Sequence, residues 1–445
     1  MTEKMNDVSG RGWLTLGLRQ GEPGVSLATD FYELTMAQSY LEDGKTKPAT
    51  FSLFVRRLAK NRSFLVSCGL ETLLERIRRF KFTEEELSYL ENVGFSNDFL
   101  SYLKDYKFSG DIYAIGEGRV IFENEPLIQV EASLPDAQIL ETLVINTIHF
   151  QTLVASKAAR SYIVSGGKRL VDFGLRRAHG AEAGLYAARA AYIAGVGSTS
   201  NLLAGKMFNI PVVGTMAHSY VEVFDSEDEA FKSFARSFPE NAVFLIDTYD
   251  VLAATSKVVE LFKNGVPVMA VRIDSGDLAE LSRNVREILN EASLKQVKII
   301  VSGGLDEYDV KKLVDEGEPI DVFAIGTMLV TSADQPYLDI AYKLVEYDGK
   351  PKFKLSPGKA TFPYKRQIVR HYSQEGIMNY DEAIRYNMKN GGEKLVTKVV
   401  EEGEVILHLP ALSEIRETFL KDVERLPESL RVLEEPRQRF KVVIR

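Results

Sequence analysis

Cysteine is almost absent from this sequence of 445 residues, which contains only Cys68. A single cysteine cannot form an internal disulfide or a metal site built from several cysteines, so we expect a reducing environment and a thiol buried in the core. Residues 1–24 lack the apolar segment of a secretory signal, and no apolar run has the length that a membrane helix needs. These absences together predict a cytoplasmic protein that does not contact a membrane.

Basic residues are also fewer than acidic residues. The chain has 55 Lys and Arg against 63 Asp and Glu, a formal net charge of −8. A general nucleic-acid surface needs a basic face, so we expect no nucleic-acid partner. A small anionic substrate remains compatible with this charge, because a few arginines and lysines can dominate one cleft. The length exceeds one average domain, which favours two domains or a barrel with a second layer.

The pattern of apolar runs divides the chain into three parts. Residues 1–134 begin with a polar arm (1–25) and continue with strand-like runs and helical segments, which is typical of an α+β region. Residues 135–345 start with a long amphipathic helix, after which seven short apolar runs alternate with helical stretches. That rhythm favours a parallel β/α barrel, and no G-x-G-x-x-G fingerprint of a dinucleotide-binding fold follows the first strand. Residues 346–445 return to strand patterns and close with a charged helix, so we expect them to pack back on the first part.

Seven strands are predicted for the barrel, and the third of them, at Val212 and Val213, is expected to be buried. The seven runs are 170–173, 196–199, 212–213, 243–247, 268–274, 298–302 and 322–326.

Two successive late strands end in loops that contain glycine. Gly303 and Gly304 follow one strand, and Gly326 with Thr327 ends the next. Glycine lets the backbone approach a ligand closely, and the amides at a helix N-terminus point towards it. Barrels commonly bind phosphate at such late loops, so we predict a phosphate site here, with simple turn chemistry as the alternative.

Charged side chains end several of the other strands. Arg272 and Asp274 stand at one strand end, and this combination suits a sugar polyol or a magnesium-bound phosphate ester. His218 follows the third strand, where a histidine can act as a general base, a metal ligand or a nucleophile. Asp247 ends the next strand, and an aspartate near a histidine can fix its tautomer.

The first barrel strand ends in an aromatic and a basic pair. Phe173 offers a flat apolar face, and Arg176 with Arg177 offers forked donors for a carboxylate or a phosphate, with a solvated surface pair as the alternative. From these residues alone we predict a barrel enzyme that acts on a phosphorylated sugar with magnesium. The substrate and the reaction class stay open at this point.

Several motifs together resemble the nicotinate phosphoribosyltransferase family, in the same order from about residue 27 to the end. They are Thr29-Asp-Phe-Tyr32-Glu-Leu-Thr-Met, Asp172-Phe-Gly-Leu-Arg-Arg-Ala-His-Gly, Gly214-Thr-Met-Ala-His218-Ser, Arg272-Ile-Asp-Ser-Gly-Asp, Ser302-Gly-Gly-Leu and Arg431-Val-Leu-Glu-Glu-Pro436. The resemblance implies an α/β fold: an irregular parallel β/α barrel beside an α/β sandwich built from both ends of the chain. It also implies a homodimer in which each site borrows residues from the N-terminal region of its partner.

The reaction implied by this resemblance joins nicotinate to 5-phosphoribosyl 1-diphosphate, giving nicotinate mononucleotide and pyrophosphate, the first step of NAD synthesis from nicotinate. ATP is the implied co-substrate, hydrolysed through a transiently phosphorylated His218 that Asp247 orients. Mg²⁺ is the implied cofactor, with its ligands unassigned. By resemblance, nicotinate is assigned to Tyr32 of the partner, Phe173, Arg176, Ser200, Thr215 and Arg272, and phosphoribosyl diphosphate to Arg56, Asp274, Gly303, Gly304, Gly326 and Thr327.

Two alternative functions remain at this stage. Nicotinamide phosphoribosyltransferases share the barrel, but they carry an aspartate where this chain has Ser200. A carboxylate there would repel the carboxylate of nicotinate, so Ser200 favours the acid as substrate. A non-catalytic phosphate-ligand sensor on the same barrel is the second alternative, although a sensor has no need of a phosphate-accepting histidine.

Overall fold

The N-terminal third of the described chain alternates short strands with four helices. The computed structural model describes residues 26–354 and 362–445, so the predicted arm at residues 1–25 lies outside it. Side-chain caps begin two of the helices: Thr83 accepts a hydrogen bond from the Glu86 amide in a capping box, and Ser96 accepts one from the Phe99 amide. The elements are α1 (Phe31–Glu42), β1 (Pro48–Val55), β2 (Leu65–Val66), α2 (Leu70–Arg79), α3 (Glu84–Val93), α4 (Asn97–Lys104), β3 (Asp111–Ile115), β4 (Val120–Ile121) and β5 (Pro126–Ser133).

The middle of the chain repeats strand and helix. The long helix that the sequence predicts from Pro135 is present as two consecutive helices that meet at Leu140. The elements are α5 (Leu134–Ile139), α6 (Glu141–Val164), β6 (Arg169–Asp172), α7 (Ala181–Ile193), β7 (Ser198–Thr199), α8 (Leu202–Phe208), α9 (His218–Glu222), α10 (Glu227–Ser237), β8 (Val243–Leu245), α11 (Val251–Lys263), β9 (Ala270–Ile273), α12 (Leu278–Glu291), β10 (Lys298–Val301), α13 (Glu307–Asp315), β11 (Val322–Ile325) and α14 (Thr327–Val330).

These strands form a curled parallel sheet, which confirms the predicted barrel. The strand order is β7-β6-β11-β10-β9-β8, so the last strand of the chain segment pairs with the first. The remaining gap between β7 and β8 is filled by residues 211–216, which add one parallel bridge from Val212 to Thr199. Two side chains complete the closure: Thr215 Oγ1 donates to the Val243 carbonyl at 2.8 Å, and Asn241 Nδ2 donates to the Gly214 carbonyl at 3.0 Å.

The prediction that the third strand is buried was wrong. Val212 is 44% exposed and Val213 is 37% exposed. Their run contributes a single backbone bridge, and the closure towards β8 is made by side chains, so neither valine is enclosed between a sheet and a helix layer. The barrel is therefore irregular at this position.

The C-terminal part adds strands to the sandwich, as predicted. One sheet has the order β13-β12-β1-β5-β3-β17-β18 and so combines both ends of the chain, and a second sheet has the order β16-β14-β15-β19. The domain boundaries at residues 134 and 345 stay predictions. The elements are β12 (Ile340–Tyr347), β13 (Lys350–Pro351), β14 (Arg366–Tyr372), β15 (Met378–Arg385), β16 (Glu393–Lys394), β17 (Val396–Glu401), β18 (Glu404–Val405), α15 (Leu412–Arg425) and β19 (Val442–Ile444).

Buried charges join the barrel to the sandwich. Arg189 on α7 donates to Glu117 Oε1 at 2.7 Å and to Glu71 Oε2 at 2.7 Å, and we call these three residues the junction cluster. Cys68 lies beside them, fully buried as predicted, and burial raises the pKa of its thiol well above the ordinary value. None of the helices in the two described ranges has the length and apolar character needed to span a membrane.

Candidate active site at the carboxyl ends of the barrel strands

The barrel strands run in one direction, so their carboxyl ends meet on one face. The pairing places Asp172 opposite both Thr199 and Ile325, and Val301 opposite Ile273. Parallel strands in register bring the residues that follow them to a common edge, which is where barrel enzymes carry their chemistry. The predicted strand-end residues are therefore gathered at this edge.

Arg272 links three of these strand ends. Its guanidinium donates to Asp274 Oδ1 at 3.1 Å, to Ser302 Oγ at 3.3 Å and to the Met216 carbonyl at 3.2 Å. Burial lowers the pKa of this guanidinium, the charge of Asp274 opposes that effect, and repulsion from Arg176 adds to it. Since an arginine keeps its proton at neutral pH, the site holds a buried positive charge with a second arginine nearby.

Asp247 and Asp274 form the acidic side of the site. Asp247 Oδ2 accepts from the Asp274 amide at 3.0 Å and from Ser275 Oγ at 2.6 Å. Asp247 Oδ1 is buried and has no hydrogen-bond partner among the described residues. Within residues 26–354 and 362–445, no group of three or more histidine, cysteine or acidic side chains is arranged to hold a metal ion. The protein thus offers two adjacent carboxylates, and any further oxygen ligands have to come from a substrate or from water.

His218 begins α9 and faces both acidic strand ends. Its Nδ1 lies 3.1 Å from Thr248 Oγ1, and its Nε2 lies 4.0 Å from Asp274 Oδ2. The side chain is 39% exposed, so the ring is held on one side and open on the other. The sequence assigned the orienting role to Asp247, but the structure places its neighbour Thr248 against the ring. Two adjacent polar residues at a strand end cannot be distinguished by spacing alone.

The glycines of the loop after β10 have different reasons to be glycine. Gly303 has φ +99°, and a Cβ atom there would lie 1.9 Å from the Asp274 carbonyl oxygen. Gly304 has φ +77°, but a Cβ there would face open space. Gly303 therefore permits the close approach of two strand ends, whereas Gly304 leaves room in front of the loop.

The loop after β11 brings another glycine against the first barrel strand. A Cβ on Gly326 would lie 3.1 Å from the Phe173 carbonyl oxygen, and the Phe173 amide donates to the Ile325 carbonyl at 2.8 Å. Thr327, the first residue of α14, is exposed beside it. Both glycine loops thus lie on the edge that carries Arg272.

The first two strand ends supply the remaining predicted contacts. Phe173 is half-buried, and Arg176 is exposed in the turn that follows it. The Ser200 amide donates to the Asp172 carbonyl at 2.9 Å, which fixes Ser200 at the same edge. Burial raises the pKa of the Asp172 carboxyl group, and hydrogen bonds from Thr199 Oγ1 and the Gly174 amide oppose this shift. Asp172 therefore ties two strands together.

Three predicted residues have contacts that the sequence did not suggest. The Thr215 hydroxyl donates to the Val243 carbonyl, the hydrogen bond that helps to close the barrel. Tyr32 is 44% exposed on α1, beside Glu141, and Arg56 forms a salt bridge with Asp339 at 3.1 Å. Among the described residues, neither Tyr32 nor Arg56 hydrogen-bonds to a strand-end residue. The contribution of Tyr32 to a partner's site stays a prediction.

The sequence did not indicate that hydroxyl side chains next to the charged residues belong to the site. Thr248, Ser275 and Ser302 each contact a charged or titratable group of the site, and Ser302 Oγ donates to Asp274 Oδ1. Their only signal in the sequence is that each is adjacent to a singled-out strand-end residue or glycine.

Two family models match this chain. The N-terminal domain of nicotinate phosphoribosyltransferase matches residues 27–149, and the nicotinate phosphoribosyltransferase family matches residues 168–375. A nicotinate phosphoribosyltransferase from Mycobacterium tuberculosis is 43% identical over 424 residues, which cover 94% of this chain and 91% of that protein. One from Bacillus subtilis is 39% identical over 453 residues, covering 94% and 92%.

Solved structures agree with the sequence matches. Human nicotinic acid phosphoribosyltransferase is 28% identical and superimposes with a TM-score of 0.84, covering 94% of this chain and 97% of the human one. A nicotinate-nucleotide pyrophosphorylase from Pyrococcus furiosus is 25% identical with a TM-score of 0.75, covering 91% and 97%. Sequence and fold thus point to one group of proteins.

Proposed function

The chain belongs to the nicotinate phosphoribosyltransferase family, and on this premise we propose that its strand-end site couples the reaction to ATP hydrolysis through His218. The enzyme joins nicotinate to 5-phosphoribosyl 1-diphosphate and releases nicotinate mononucleotide and pyrophosphate, which brings nicotinate into NAD synthesis. The observation that supports the assignment of the site is the convergence of His218, Asp274 and Arg272, with the imidazole 4.0 Å from a carboxylate that the arginine also contacts.

The glycosyl transfer itself needs no general base. The pyridine nitrogen of nicotinate is already nucleophilic, and it attacks the ribose C1 as the bond from C1 to pyrophosphate breaks. Catalysis then comes from alignment of the two substrates and from stabilisation of the charge that develops on the leaving group. Arg272 and Arg176 supply positive charge for the nicotinate carboxylate, Phe173 supplies a face for its ring, and Ser200 and Thr215 stand at the adjacent strand ends.

The phosphoribosyl group is assigned to the acidic side and the glycine loops. Asp274 Oδ1 is occupied by Arg272 and Ser302, so its Oδ2 is the oxygen left to accept from ribose hydroxyls. The loops at Gly303–Gly304 and Gly326–Thr327 are proposed to bind the 5-phosphate through backbone amides. Arg56 is proposed to approach the pyrophosphate group, as the resemblance suggests.

His218 is the proposed phosphate acceptor. A neutral imidazole nitrogen attacks the terminal phosphorus of ATP, ADP departs, and water later takes the phosphoryl group as inorganic phosphate. The side chain is partly exposed and held by Thr248, so a nitrogen stays open to the nucleotide. Asp247 accepts hydrogen bonds from the Asp274 amide and from Ser275 Oγ, and so fixes the loop that carries Asp274 next to His218.

Magnesium fits the donor set of this site. Mg²⁺ is usually bound by one or two carboxylates together with substrate phosphates, and Asp247 with Asp274 supplies such a pair, including the unpartnered Asp247 Oδ1. These two residues are proposed to hold it, and when bound the ion neutralises charge on the pyrophosphate group.

A cytoplasmic location stays a prediction.

The activity is tested by incubating the protein with nicotinate, phosphoribosyl diphosphate and Mg²⁺, with and without ATP. Nicotinate mononucleotide should form, and ATP should increase its yield. Failure to form it under every condition would favour the phosphate-ligand sensor. Faster turnover of nicotinamide than of nicotinate would favour the nicotinamide enzyme and contradict the interpretation of Ser200.

The coupling is tested with His218→Ala. This variant should lose nicotinate-dependent ATP hydrolysis and the stimulation by ATP, and it should no longer form an acid-labile phosphorylated protein. His408→Ala, at an exposed histidine outside the barrel, is the matched control and should behave as the wild type. Persistent nicotinate-dependent ATP hydrolysis in His218→Ala would refute the role of His218.

A homodimer with shared sites is proposed from the exposed position of Tyr32. If Tyr32 of one subunit serves the site of another, mixing the Tyr32→Ala and His218→Ala proteins should restore ATP-stimulated product formation, which neither variant shows alone, because hybrid dimers contain one intact site. No recovery after subunit exchange, monitored by native mass spectrometry, would contradict the sharing.

A further inference from the structure

Five charged side chains are buried around the segments that follow the two glycine loops. Four of them are at most 5% exposed, and the fifth, an aspartate, is 14% exposed. We call them the phosphate-side cluster: Arg62, Lys157, Arg160, Glu307 and Asp334. None of the five was assigned a role from the sequence.

Lys157 connects the segments that follow the two loops. Its Nζ lies 2.5 Å from Glu307 Oε2 and 2.7 Å from Asp334 Oδ1. Glu307 is the first residue of α13 and comes directly after the Gly303–Gly304 loop, whereas Asp334 follows α14, which begins after Gly326. One ammonium group on α6 therefore holds both loops at a fixed separation.

Further contacts brace this arrangement. Arg160 Nε donates to Glu307 Oε1 at 2.7 Å, and its Nη2 donates to the Leu433 carbonyl at 3.2 Å. Arg62 Nη2 donates to Asp334 Oδ1 at 2.9 Å. The C-terminal tail thus contacts the cluster through the Leu433 carbonyl, which gives a structural reason for the late sequence motif around Leu433.

The cluster carries more positive than negative charge. Among the described residues, Arg62, Lys157 and Arg160 pair with two carboxylates, Glu307 and Asp334, which leaves one cation in excess. Burial alone would raise the pKa of Asp334, but the charges of Arg62 and Lys157 outweigh burial and lower it, so Asp334 is ionised at neutral pH. Burial lowers the pKa of Arg62 to about 10, and it remains protonated.

Arg62 also has unused hydrogen-bond donors. Its Nε and Nη1 atoms are buried without a hydrogen-bond partner among the described residues. A buried excess of charge is unfavourable in a medium of low dielectric unless a counter-charge lies near it. A phosphate bound in front of the adjacent loops would supply that counter-charge.

We propose that the phosphate-side cluster is a positioning cluster that holds the two glycine loops at the spacing a phosphate requires and places a net positive charge behind them. Its residues are positioning residues, since they act through the loops and not on the reacting atoms. The inference rests on the proposed function, because it takes these loops as the binding site of the phosphoribosyl diphosphate.

The test is Lys157→Met, which removes both the connection and the excess charge. The apparent KM for phosphoribosyl diphosphate should rise about tenfold or more, while the apparent KM for nicotinate stays within about twofold. Titration calorimetry with phosphoribosyl diphosphate and Mg²⁺, without nicotinate, should show the same loss of affinity. Lys157→Arg keeps the charge and should recover much of that affinity. If Lys157→Met does not fold, Lys157→Gln is measured in its place with the same expectation.

Arg189→Met is the matched control, because Arg189 is as deeply buried and as fully paired but lies in the junction cluster. It should reduce the melting temperature and leave the ratio of the two KM values unchanged. An unchanged ratio in Lys157→Met, or an equal rise in both KM values, would overturn the inference. Absence of nicotinate mononucleotide with the wild-type protein would instead refute the proposed function, so the two failures are distinguishable.

Discussion

The junction cluster and the phosphate-side cluster are built from the same kinds of residue but carry opposite net charge. In the junction cluster one arginine, Arg189, faces two glutamates, Glu71 and Glu117. In the phosphate-side cluster three cations face two carboxylates, with Lys157 at the centre. Every side chain of both clusters is at most 14% exposed, so solvent exposure does not explain the difference.

The two clusters differ in the parts of the molecule that surround them. The junction cluster joins helix α7 of the barrel to the sandwich, and within residues 26–354 and 362–445 its ion pairs reach no loop of the candidate site. Burial would raise the pKa of Glu117, but Arg189 outweighs burial and lowers it, so the carboxylate stays ionised. The phosphate-side cluster lies behind two loops that are assigned to an anion. A buried cluster that only stabilises the fold can carry a net negative charge. A cluster beside a phosphate site attracts the anion when its net charge is positive.

The largest expected effect concerns the junction cluster. Arg189→Met removes the cation that pairs with the buried Glu117, and breaking a buried ion pair in this way costs about 3–5 kcal/mol of folding free energy. Urea unfolding of the variant should show this loss. Exposed Arg57, which pairs with Asp339 at the surface, is the control, and Arg57→Met should change the free energy of unfolding by less than about 1 kcal/mol. A loss of similar size in both variants would contradict the role of burial.

The next largest effect is expected in the loop that the phosphate-side cluster supports. In Gly303→Ala the new Cβ would lie 1.9 Å from the Asp274 carbonyl oxygen, so the loop has to move. We expect kcat/KM for phosphoribosyl diphosphate to fall about a hundredfold, which corresponds to about 2.7 kcal/mol of transition-state stabilisation. Gly304→Ala meets no atom within 4 Å and carries only the strain of its positive φ, so its loss should be about tenfold at most. Equal losses of kcat/KM in the two variants would show that the positive φ, and not the close contact with Asp274, causes the loss.

Much of the barrel could be predicted because its signal is local and repeated. Six of the seven predicted apolar runs are strands of the sheet, and the seventh, at residues 212–213, contributes one bridge. The polar residues at or after the ends of these runs include Arg272, Asp274 and His218, which lie at the edge of the sheet as predicted. The exposure of Val212 could not be predicted, because an apolar pair has the same composition whether or not a second strand covers it.

Partners that depend on tertiary contacts could not be predicted either. Spacing gave no means of choosing Thr248 over Asp247 as the neighbour of His218, since both follow β8. Strand β15 was missed because Asp381 and Glu382 resemble a solvated surface, whereas both are buried against Arg370 and His371 of β14. The phosphate-side cluster was invisible for the same reason: its five members come from distant segments and show no common pattern along the chain.

A third kind of buried carboxylate extends the comparison of the clusters, because its partners in the described part of the chain include no cation. Glu33 on α1 is fully buried and accepts hydrogen bonds from the Thr142 amide at 3.0 Å and from Thr29 Oγ1 at 2.7 Å. Burial raises its pKa to about 7, and the threonine hydrogen bonds only partly oppose this. Hydroxyl and amide donors alone therefore stabilise the carboxylate less than an arginine stabilises Glu117.

The smallest of the expected effects follows from this difference. The pKa of Glu33 is higher in the folded state than in the unfolded chain, so its contribution to stability is fully present below the unfolded pKa and is lost as the pH rises through about 7. For Glu117 and Asp334, whose pKa values are lowered, the contribution is lost as the pH falls. Glu33→Gln should therefore flatten the decline of the unfolding free energy between about pH 5 and 8 by on the order of 2 kcal/mol. Glu42→Gln, at an exposed position of the same helix, should leave that decline unchanged. A decline that persists in Glu33→Gln would mean that another group titrates there, and the contrast between paired and unpaired buried carboxylates would then not hold for this helix.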